Sequence, residues 1–496
     1  MKVLIVGSGG REHALAEMIR RSTREPRVYV VSDYLNPGLE AVAEATGGRL
    51  YTGKTTDPGT VLRVAKEVNP DLVVIGPEEP LFHGVSDALL DEGFLVFGAR
   101  SRLAEIEKSK VFARTLQWRY RIPGRLRFVA ASSLEEASKA AESMGDAAVK
   151  PARQAGGHGV KVFAASAPHV DEAAAEVRRV YAEQIAKRVA EKYRDIEHLV
   201  IVEERVEGVE YTLMTLTDGS TVVPLPIVQD QPHLFIHDIG PETGGMGAIA
   251  GPGYTPVFIT REELEETKLI VEKTVEALRR ETGLEYRGAL SAQSMLTALQ
   301  GPVLIEYYAR FGDPEISALI PLIESDMLEL LERAASGRLA GAKLSIRDDL
   351  YIVVKVVAPR GYPENRKAAR DHPIDYSAAL ERAEKMGCRV LVAGVYKAPD
   401  GRLLTTGSRA LEVVCASPTS YEDASRAAEE VIAGIRLLDG WQLIHRRDVG
   451  TEEHVRARIE EAERARRVYL HRRRLGLGRV VYDWVPGQGV KVYDYS

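Results

Sequence analysis

An acid and a base stand close together just past an apolar run. Val303-Leu304-Ile305 is followed by Glu306 and Arg310, and Gly312-Asp313-Pro314-Glu315 closes the segment. The run reads as a short buried strand. Charges at a buried strand end need partners, because an isolated buried charge is expensive. A divalent cation would satisfy the carboxylate, and a phosphate would satisfy the guanidinium fork. An ion pair that merely closes a loop would satisfy both equally well. From this stretch alone the two readings are even.

Other stretches with chemical potential also fall at strand ends. Gly7-Ser8-Gly9-Gly10-Arg11-Glu12-His13 follows the strand Lys2–Val6 and precedes helical spacing at Leu15, Met18 and Ile19. Strand, glycine turn, helix is the geometry that aims backbone N–H groups at a phosphate. A dinucleotide fingerprint wants a third glycine where Glu12 stands. Asp33, near the end of the next strand Val28–Val31, could hold a ribose and keeps a dehydrogenase reading open. Gly76-Pro77-Glu78-Glu79-Pro80-Leu81 follows the strand Leu72–Ile75, so it is expected to line one cleft with Gly7–Gly10. The bland alternative is that Pro77 and Pro80 only shape a loop.

Lys150 ends the strand Ala147–Lys150 and opens into a loop containing Gly156, Gly157, His158 and Gly159, before a strand at Val160–Phe163. Amides of such a loop can close over phosphates, and the lysine favours that over a plain hairpin. Glu203 and Glu210 lie between the strands Leu199–Val202 and Tyr211–Leu216, placed to read an amine and a ribose diol, or else solvated at an edge. The polar, glycine-dense stretch His237–Gly247 is expected to wrap a ligand rather than a core. Leu290–Leu296 and Val303–Ile305 form a hairpin that brings Gln293 near Glu306.

These residues need a multidomain frame. The 496 residues suit about three domains with ample core. Strand–helix alternation over the first hundred residues predicts a parallel sheet covered on both faces. A helix starts at Asp57-Pro58, with Asp as cap and Pro in the first turn. From about residue 345 the pattern is α+β, with strands at Tyr351–Val357, Arg389–Val395 and Leu411–Cys415 and a helix at Ala424–Ile435. Residues 451–496 form a charged helix through Arg472-Arg473-Arg474 and a β-hairpin of Val480–Val485 with Val490–Tyr495 over Pro486-Gly487. The arginine cluster reads as a solvated helix face rather than an RNA site. The net charge of −6 argues against nucleic acid or anionic membrane as the main partner. No apolar run is long enough to span a bilayer. Cys388 and Cys415 have no metal-ligand spacing and imply no disulfide framework, so a reducing cytoplasm is the expected compartment. Asparagine occurs only at positions 36, 69 and 365 while Glu and Arg abound, a bias that suits a hot-growing source.

Taken together, the motifs resemble those of the phosphoribosylamine–glycine ligases, or glycinamide ribonucleotide synthetases, of the ATP-grasp superfamily, in an archaeal-looking branch. The resemblance runs from Met1 to about Gly450. It rests on Gly9-Gly10-Arg11-Glu12-His13, Gly76–Leu81, Lys108-Ser109-Lys110, the loop ending at Gly159, Glu203–Glu210, Asp238–Ala248, Arg310–Glu315 and Arg447-Asp448-Val449-Gly450. It implies a Rossmann-like N-terminal domain at 1–105, an ATP-grasp domain at 106–340 with a flap at about 120–200, a C-terminal α+β domain at 341–450, and a tail at 451–496 beyond the family core.

The implied reaction joins glycine to 5-phosphoribosylamine with ATP and Mg²⁺ or Mn²⁺. Carried over by position, Lys110, Lys150, Gly156, Gly157, Gly159, Glu203, Val206 and Glu210 face the nucleotide. Gln293 and Glu306 hold metal, and Arg310, Lys150 and Asp313 are catalytic. Gly10, Arg11, Glu12, Glu78, Asp238, Thr243, Gly244 and Gly245 face the substrates. A monomer is the default state. Two departures stand out: Tyr308 where the family commonly has an Asn ligand, and His158 where its loop usually has Lys. Both weaken the polyphosphate end, so an impaired nucleotide-binding homologue, or an ATP-grasp ligase with another amine acceptor, is the alternative.

Overall fold

A computed structural model describes residues 1–144, 147–153, 161–163, 200–485 and 489–495. The chain divides into two compact units. The first comprises Met1–Ala104, Tyr211–Ser291 and Tyr308–Ile459; the second comprises Glu105–Glu210, Ala292–Tyr307 and Glu460–Ser496.

In the first unit, five parallel strands form a sheet in the order Arg49–Thr52, Arg27–Ser32, Lys2–Val6, Leu72–Ile75, Val96–Phe97. The continuous apolar runs are explained by burial on both faces: every residue of Leu72–Ile75 is buried. Each such side chain contributes roughly 1.5–3 kcal/mol. Lys2–Val6 lies where the strand order reverses, and its neighbour across the reversal is Leu72–Ile75. Ligands bind outside the carboxyl ends of strands at that point. The helix Pro58–Val68 begins as expected, with the Asp57 side chain accepting from the Thr60 N–H. All ten residues of the helix Gly10–Ile19 are buried, which its weak polar–apolar pattern did not announce.

A larger sheet contains the expected strands with longer bounds, among them Gly208–Thr217, Gly288–Thr297, Gly301–Tyr308, Tyr351–Pro359 and Leu411–Ser417. The expected single strand Arg389–Val395 is two, Arg389–Val392 and Val395–Lys397, which join different sheets. The expected loop His237–Gly247 is partly ordered as a hairpin of His233–Phe235 with Ile239–Glu242.

One expectation about the cysteines is overturned. Cys388 and Cys415 form a disulfide. Arg389 pairs with Val414 in antiparallel register, so Cys388 stands directly opposite Cys415. Their Cα atoms are 4.4 Å apart. A separation of 27 residues conceals a neighbourhood that only strand register creates. Disulfides inside cells are rare except in hyperthermophiles.

In the second unit, an antiparallel sheet has the order Phe128–Ala131, Val200–Glu204, Ala147–Pro151, Lys161–Phe163. The helix Leu134–Met144 packs Ala137, Ala140 and Ala141 on Val149, Val200 and Val202. The glycine-loop residues Gly156, Gly157, His158 and Gly159, most of the proposed flap, and the hairpin turn Pro486-Gly487 lie outside the described residues. The tail has its helix at Glu452–Arg474 and its hairpin at Val480–Val485 with Gly489–Asp494. Among the described residues no helix is long and apolar enough to cross a membrane.

Candidate active site

The glycine turn after Lys2–Val6 is built around a carboxylate. Glu12 accepts the Gly9 N–H at 2.7 Å, and Arg11 Nε donates to it at 2.7 Å. A side chain at Gly7 would meet Glu12 Cγ at 2.5 Å and the ring of Pro77 at 2.8 Å, and one at Gly76 would meet Glu12 Oε1 at 2.1 Å. Gly7 also takes φ +141°, which L side chains rarely adopt. The two glycines thus leave room for Glu12. This is why a glutamate stands where a dinucleotide fingerprint has glycine. Asp33 accepts from Ser8 Oγ, the Thr55 N–H and Thr55 Oγ1, tying loops together.

The turns Gly7–Gly10 and Gly76–Glu79 meet around Glu12, and Arg310 joins them through Glu78. Arg11 Nη1 donates to the Phe311 carbonyl at 3.1 Å, and Arg11 Nη2 lies 3.9 Å from Glu78. Arg310 Nε donates to Glu78 at 3.2 Å. Burial alone would lower the Arg11 pKa, but Glu12, helped by Glu78, pushes it up. Burial would raise the Glu78 pKa, but Arg310 and Arg11 hold it below the usual carboxylate range. The Arg310 guanidinium stacks 4.3 Å from the centre of the Tyr308 ring. Tyr308 therefore packs on the arginine's face.

Beside this cluster lies a second one that the sequence did not reveal. Arg409 Nη2 contacts Asp313 Oδ1 at 2.6 Å. Its Nη1 donates to the carbonyls of Asp313, at 2.7 Å, and of Gly245, at 3.0 Å, and also to that of Gly244. Gly244 N–H donates to the Tyr362 hydroxyl, and the Gly245 N–H to Thr243 Oγ1. One arginine thus joins two motifs that are far apart in the chain, Asp238–Ala248 and Arg310–Glu315. Glu412 is fully buried under the same cluster and accepts from Ser317 Oγ at 2.5 Å. Burial, then the charge of Asp313, pushes the Glu412 carboxyl up to about 8. Asp313 goes the other way: burial opposes its ionisation, but Arg409, Arg11 and Arg310 outweigh that. The opposite shifts favour the proton on Glu412. Without it, Glu412 Oε1 would be a buried acceptor with no donor among the described residues. A side chain at Gly10 would overlap that oxygen, 1.9 Å from an added Cβ. Glu315, buried and near Asp230, is raised to about 7.

The second unit holds the lysines. Lys110 Nζ donates to Glu306 at 2.8 Å. Lys150 Nζ lies 2.8 Å from Glu203, whose carboxylate also receives a two-pronged contact from Arg114 at 2.7 and 3.2 Å. Burial opposes the charge on Glu203, but Arg114 and Lys150 win and lower its pKa to about 2. Glu203 therefore binds cations of the chain rather than standing open at an edge. Gln293 is buried and its amide donates to Glu210 at 3.2 Å. Val206 packs against Leu126, Met295 and Val303. Among the described residues no group of three or more His, Cys, Asp or Glu is placed to hold a metal. Gln293 and Glu306 offer oxygen donors on neighbouring strands, a set suited to a hard cation that takes its other ligands from water and phosphate.

Asp238 is ion-paired with Arg446 at 2.9 Å and also with Arg458. Arg446 also grips Asp448, so the closing Arg447–Gly450 motif is tied to the Asp238 loop. Arg409, Glu412, Arg446 and Arg114 were all missed by sequence reasoning. Arg409, Glu412 and Arg114 stand singly among ordinary loop, strand and helix residues, and Arg446 lies one residue ahead of the Arg447–Gly450 motif.

The chain matches the N domain of phosphoribosylglycinamide synthetase over residues 1–107, its ATP-grasp (A) domain over 108–316 and its C domain over 352–452. A phosphoribosylamine–glycine ligase of Methanopyrus kandleri is 38% identical over 468 residues, 94% of this chain and 99% of that protein. One of Thermococcus gammatolerans is 39% identical over 461 residues, 93% of this chain and 97% of that protein. The crystal structure of the phosphoribosylamine–glycine ligase of Thermotoga maritima superposes with a TM-score of 0.71 at 27% identity, covering 90% of this chain and all of that one. A biotin carboxylase of Campylobacter jejuni, at 13% identity and TM-score 0.65, shares the fold alone. With three consecutive domains in register and relatives matched almost end to end, the chain belongs to the phosphoribosylglycinamide synthetase family of ATP-grasp ligases.

Proposed function

We propose that this chain joins glycine to 5-phosphoribosylamine at the expense of ATP, giving glycinamide ribonucleotide, ADP and phosphate. A carboxylate is a poor acceptor for an amine at neutral pH. A glycine carboxylate oxygen attacks the γ-phosphorus and ADP leaves; the phosphoribosylamine nitrogen then attacks the acyl carbon of glycyl phosphate and phosphate leaves. Phosphoryl transfer of this kind is mainly positioning and charge neutralisation. Lys110 and Lys150 neutralise the nucleotide phosphates, with Glu203 orienting Lys150, Val206 backbone groups at the adenine and Glu210 at the ribose. Gly156, Gly157 and Gly159 contribute loop amides. Gln293 and Glu306 hold Mg²⁺ or Mn²⁺, which when bound offsets polyphosphate charge. Arg310 steadies the acyl phosphate and Asp313 orients the amine. Gly10, Arg11, Glu12 and Glu78 receive phosphoribosylamine. Thr243, Gly244 and Gly245 shape the glycine side, and Asp238 fixes the loop that carries them. The cytoplasm, where ATP is abundant, is the compartment we assign.

The observation that carries the reading is the charged cluster of Arg11, Glu12, Glu78 and Arg310, two arginines and two carboxylates at the carboxyl ends of the parallel strands. Guanidinium forks beside carboxylates suit a ligand that carries both a phosphate and an amine. The test is ADP release with each substrate omitted in turn. Release should require glycine and should accelerate with phosphoribosylamine. Equal release with glycine replaced by another carboxylic acid would overturn the assignment.

A further inference from the structure

The C-terminal tail lies almost wholly beyond the three matched domains, the last of which ends at residue 452. Its last described residue is nevertheless among the most buried of the second unit. Tyr495 is 1% exposed, and its hydroxyl donates to Glu204 at 2.5 Å. Arg127 completes a triangle: its Nε donates to Glu204 at 2.7 Å and to the Tyr495 oxygen at 2.9 Å. The same guanidinium lies 3.4 Å from the centre of the Tyr493 ring, and the Tyr495 ring packs on Trp118. The Tyr495 hydroxyl is pushed above its ordinary pKa by burial and by Glu204, so it stays a donor.

Glu204 is the strand neighbour of Glu203, and successive side chains of a strand point to opposite faces. One face therefore carries Glu203 with Lys150 and Arg114, and the other carries Glu204 with Arg127 and Tyr495. The tail makes a second attachment through its helix. Arg472 and Arg473 donate to the carbonyls of Leu299 and Gln300, in the turn between the strands that carry Gln293 and Glu306. The arginine cluster thus docks the tail.

We propose that the tail is a brace for the nucleotide-binding residues, and that Tyr495 is a positioning residue for the Glu203–Lys150 pair, acting through Glu204. This rests on the nucleotide role proposed for Lys150. Fixing Glu204 sets the height and twist of the strand on which Glu203 rides, so Lys150 meets ATP already oriented.

The test compares full-length Tyr495→Phe, Tyr495→Ala, Glu204→Gln, the Tyr495→Phe/Glu204→Gln double variant and Lys150→Ala. ATP KM, glycine KM, kcat and thermal midpoint are read for each. Tyr495→Phe keeps the ring and removes the hydroxyl. It should raise ATP KM about fivefold, on the scale of one lost hydrogen bond, with glycine KM and kcat within about twofold. Tyr495→Ala should raise ATP KM further. The double variant should be no worse than Glu204→Gln alone, since both break one link. A lower thermal midpoint with unchanged ATP KM in the Tyr495 variants would reduce the tail to a structural cap and overturn the brace alone. Unchanged ATP KM in Lys150→Ala would overturn the nucleotide reading and the brace together.

Discussion

Single side chains in this molecule take their roles from partners far along the chain. Glu412 reads as an ordinary strand position, yet burial and the charge of Asp313 raise its carboxyl, while Arg409, Arg11 and Arg310 hold Asp313 low. Glu412 ionises at about 8 in the fold, against an ordinary value of 4.5. Between those values the folded protein keeps a proton that the unfolded chain has lost. The contribution of Glu412 to stability is therefore full below about 4.5 and is withdrawn as pH rises to about 8. Glu412→Gln, which cannot ionise, should show a flatter fall in urea midpoint across that range. Glu315, raised to about 7, leaves a residual slope of the same sign. Equal slopes in variant and parent would put the proton elsewhere. Tyr308 gives a second residue-scale expectation. Its ring faces Arg310, and such a stack is worth about 0.5–2 kcal/mol. Tyr308→Phe should keep near-parental turnover, whereas Tyr308→Asn should lower kcat several-fold with little change in the Mg²⁺ needed for half-maximal rate. A markedly lower Mg²⁺ requirement in Tyr308→Asn would instead make position 308 a metal position.

Strands act here as spacers that set which side chains meet. Register alone places Cys388 opposite Cys415, closing a loop of 27 residues. Chain-entropy arguments value such a crosslink at about 2–4 kcal/mol. Cys388→Ser/Cys415→Ser should therefore unfold at lower denaturant, and a reductant should shift the parent toward the double variant without altering ATP KM. Midpoints that coincide in oxidised and reduced parent would mean that the crosslink adds nothing to stability. The strand Val200–Glu204 shows the same principle with charge, presenting Glu203 on one face and Glu204 on the other.

Across the whole molecule, the proposed roles divide by unit. Arg11, Glu78, Arg310 and Asp313 belong to the first; Lys110, Lys150, Gln293 and Glu306 belong to the second. Substitutions should divide likewise. Arg11→Ala should raise the phosphoribosylamine requirement about 10-fold to 100-fold, the value of one or two charge-assisted hydrogen bonds, and leave ATP binding intact. Lys150→Ala should do the reverse. Calorimetry with ATP and saturation curves in phosphoribosylamine measure both. An Arg11→Ala protein that lost ATP affinity yet saturated normally with phosphoribosylamine would contradict the division.

Local pattern was enough to place much of this architecture. Lys2–Val6 and Leu72–Ile75 are strands with the bounds their apolar runs predict, and Asp57 caps the helix its Pro58 begins. The motifs Gly9–His13, Asp238–Ala248 and Arg310–Glu315 pointed to the family because each is a compact string with its own chemistry. What the string could not show was pairing. Glu306 takes Lys110 and Arg310 takes Glu78, residues about two hundred positions away that the stretch itself did not announce. Arg409, Glu412, the cysteine pair and Tyr495 escaped for the same reason. A side chain's type and neighbours in sequence fix its local conformation and its capacity for charge. Only strand order, register and burial decide which distant group meets it, and that meeting sets its pKa, its orientation and its use.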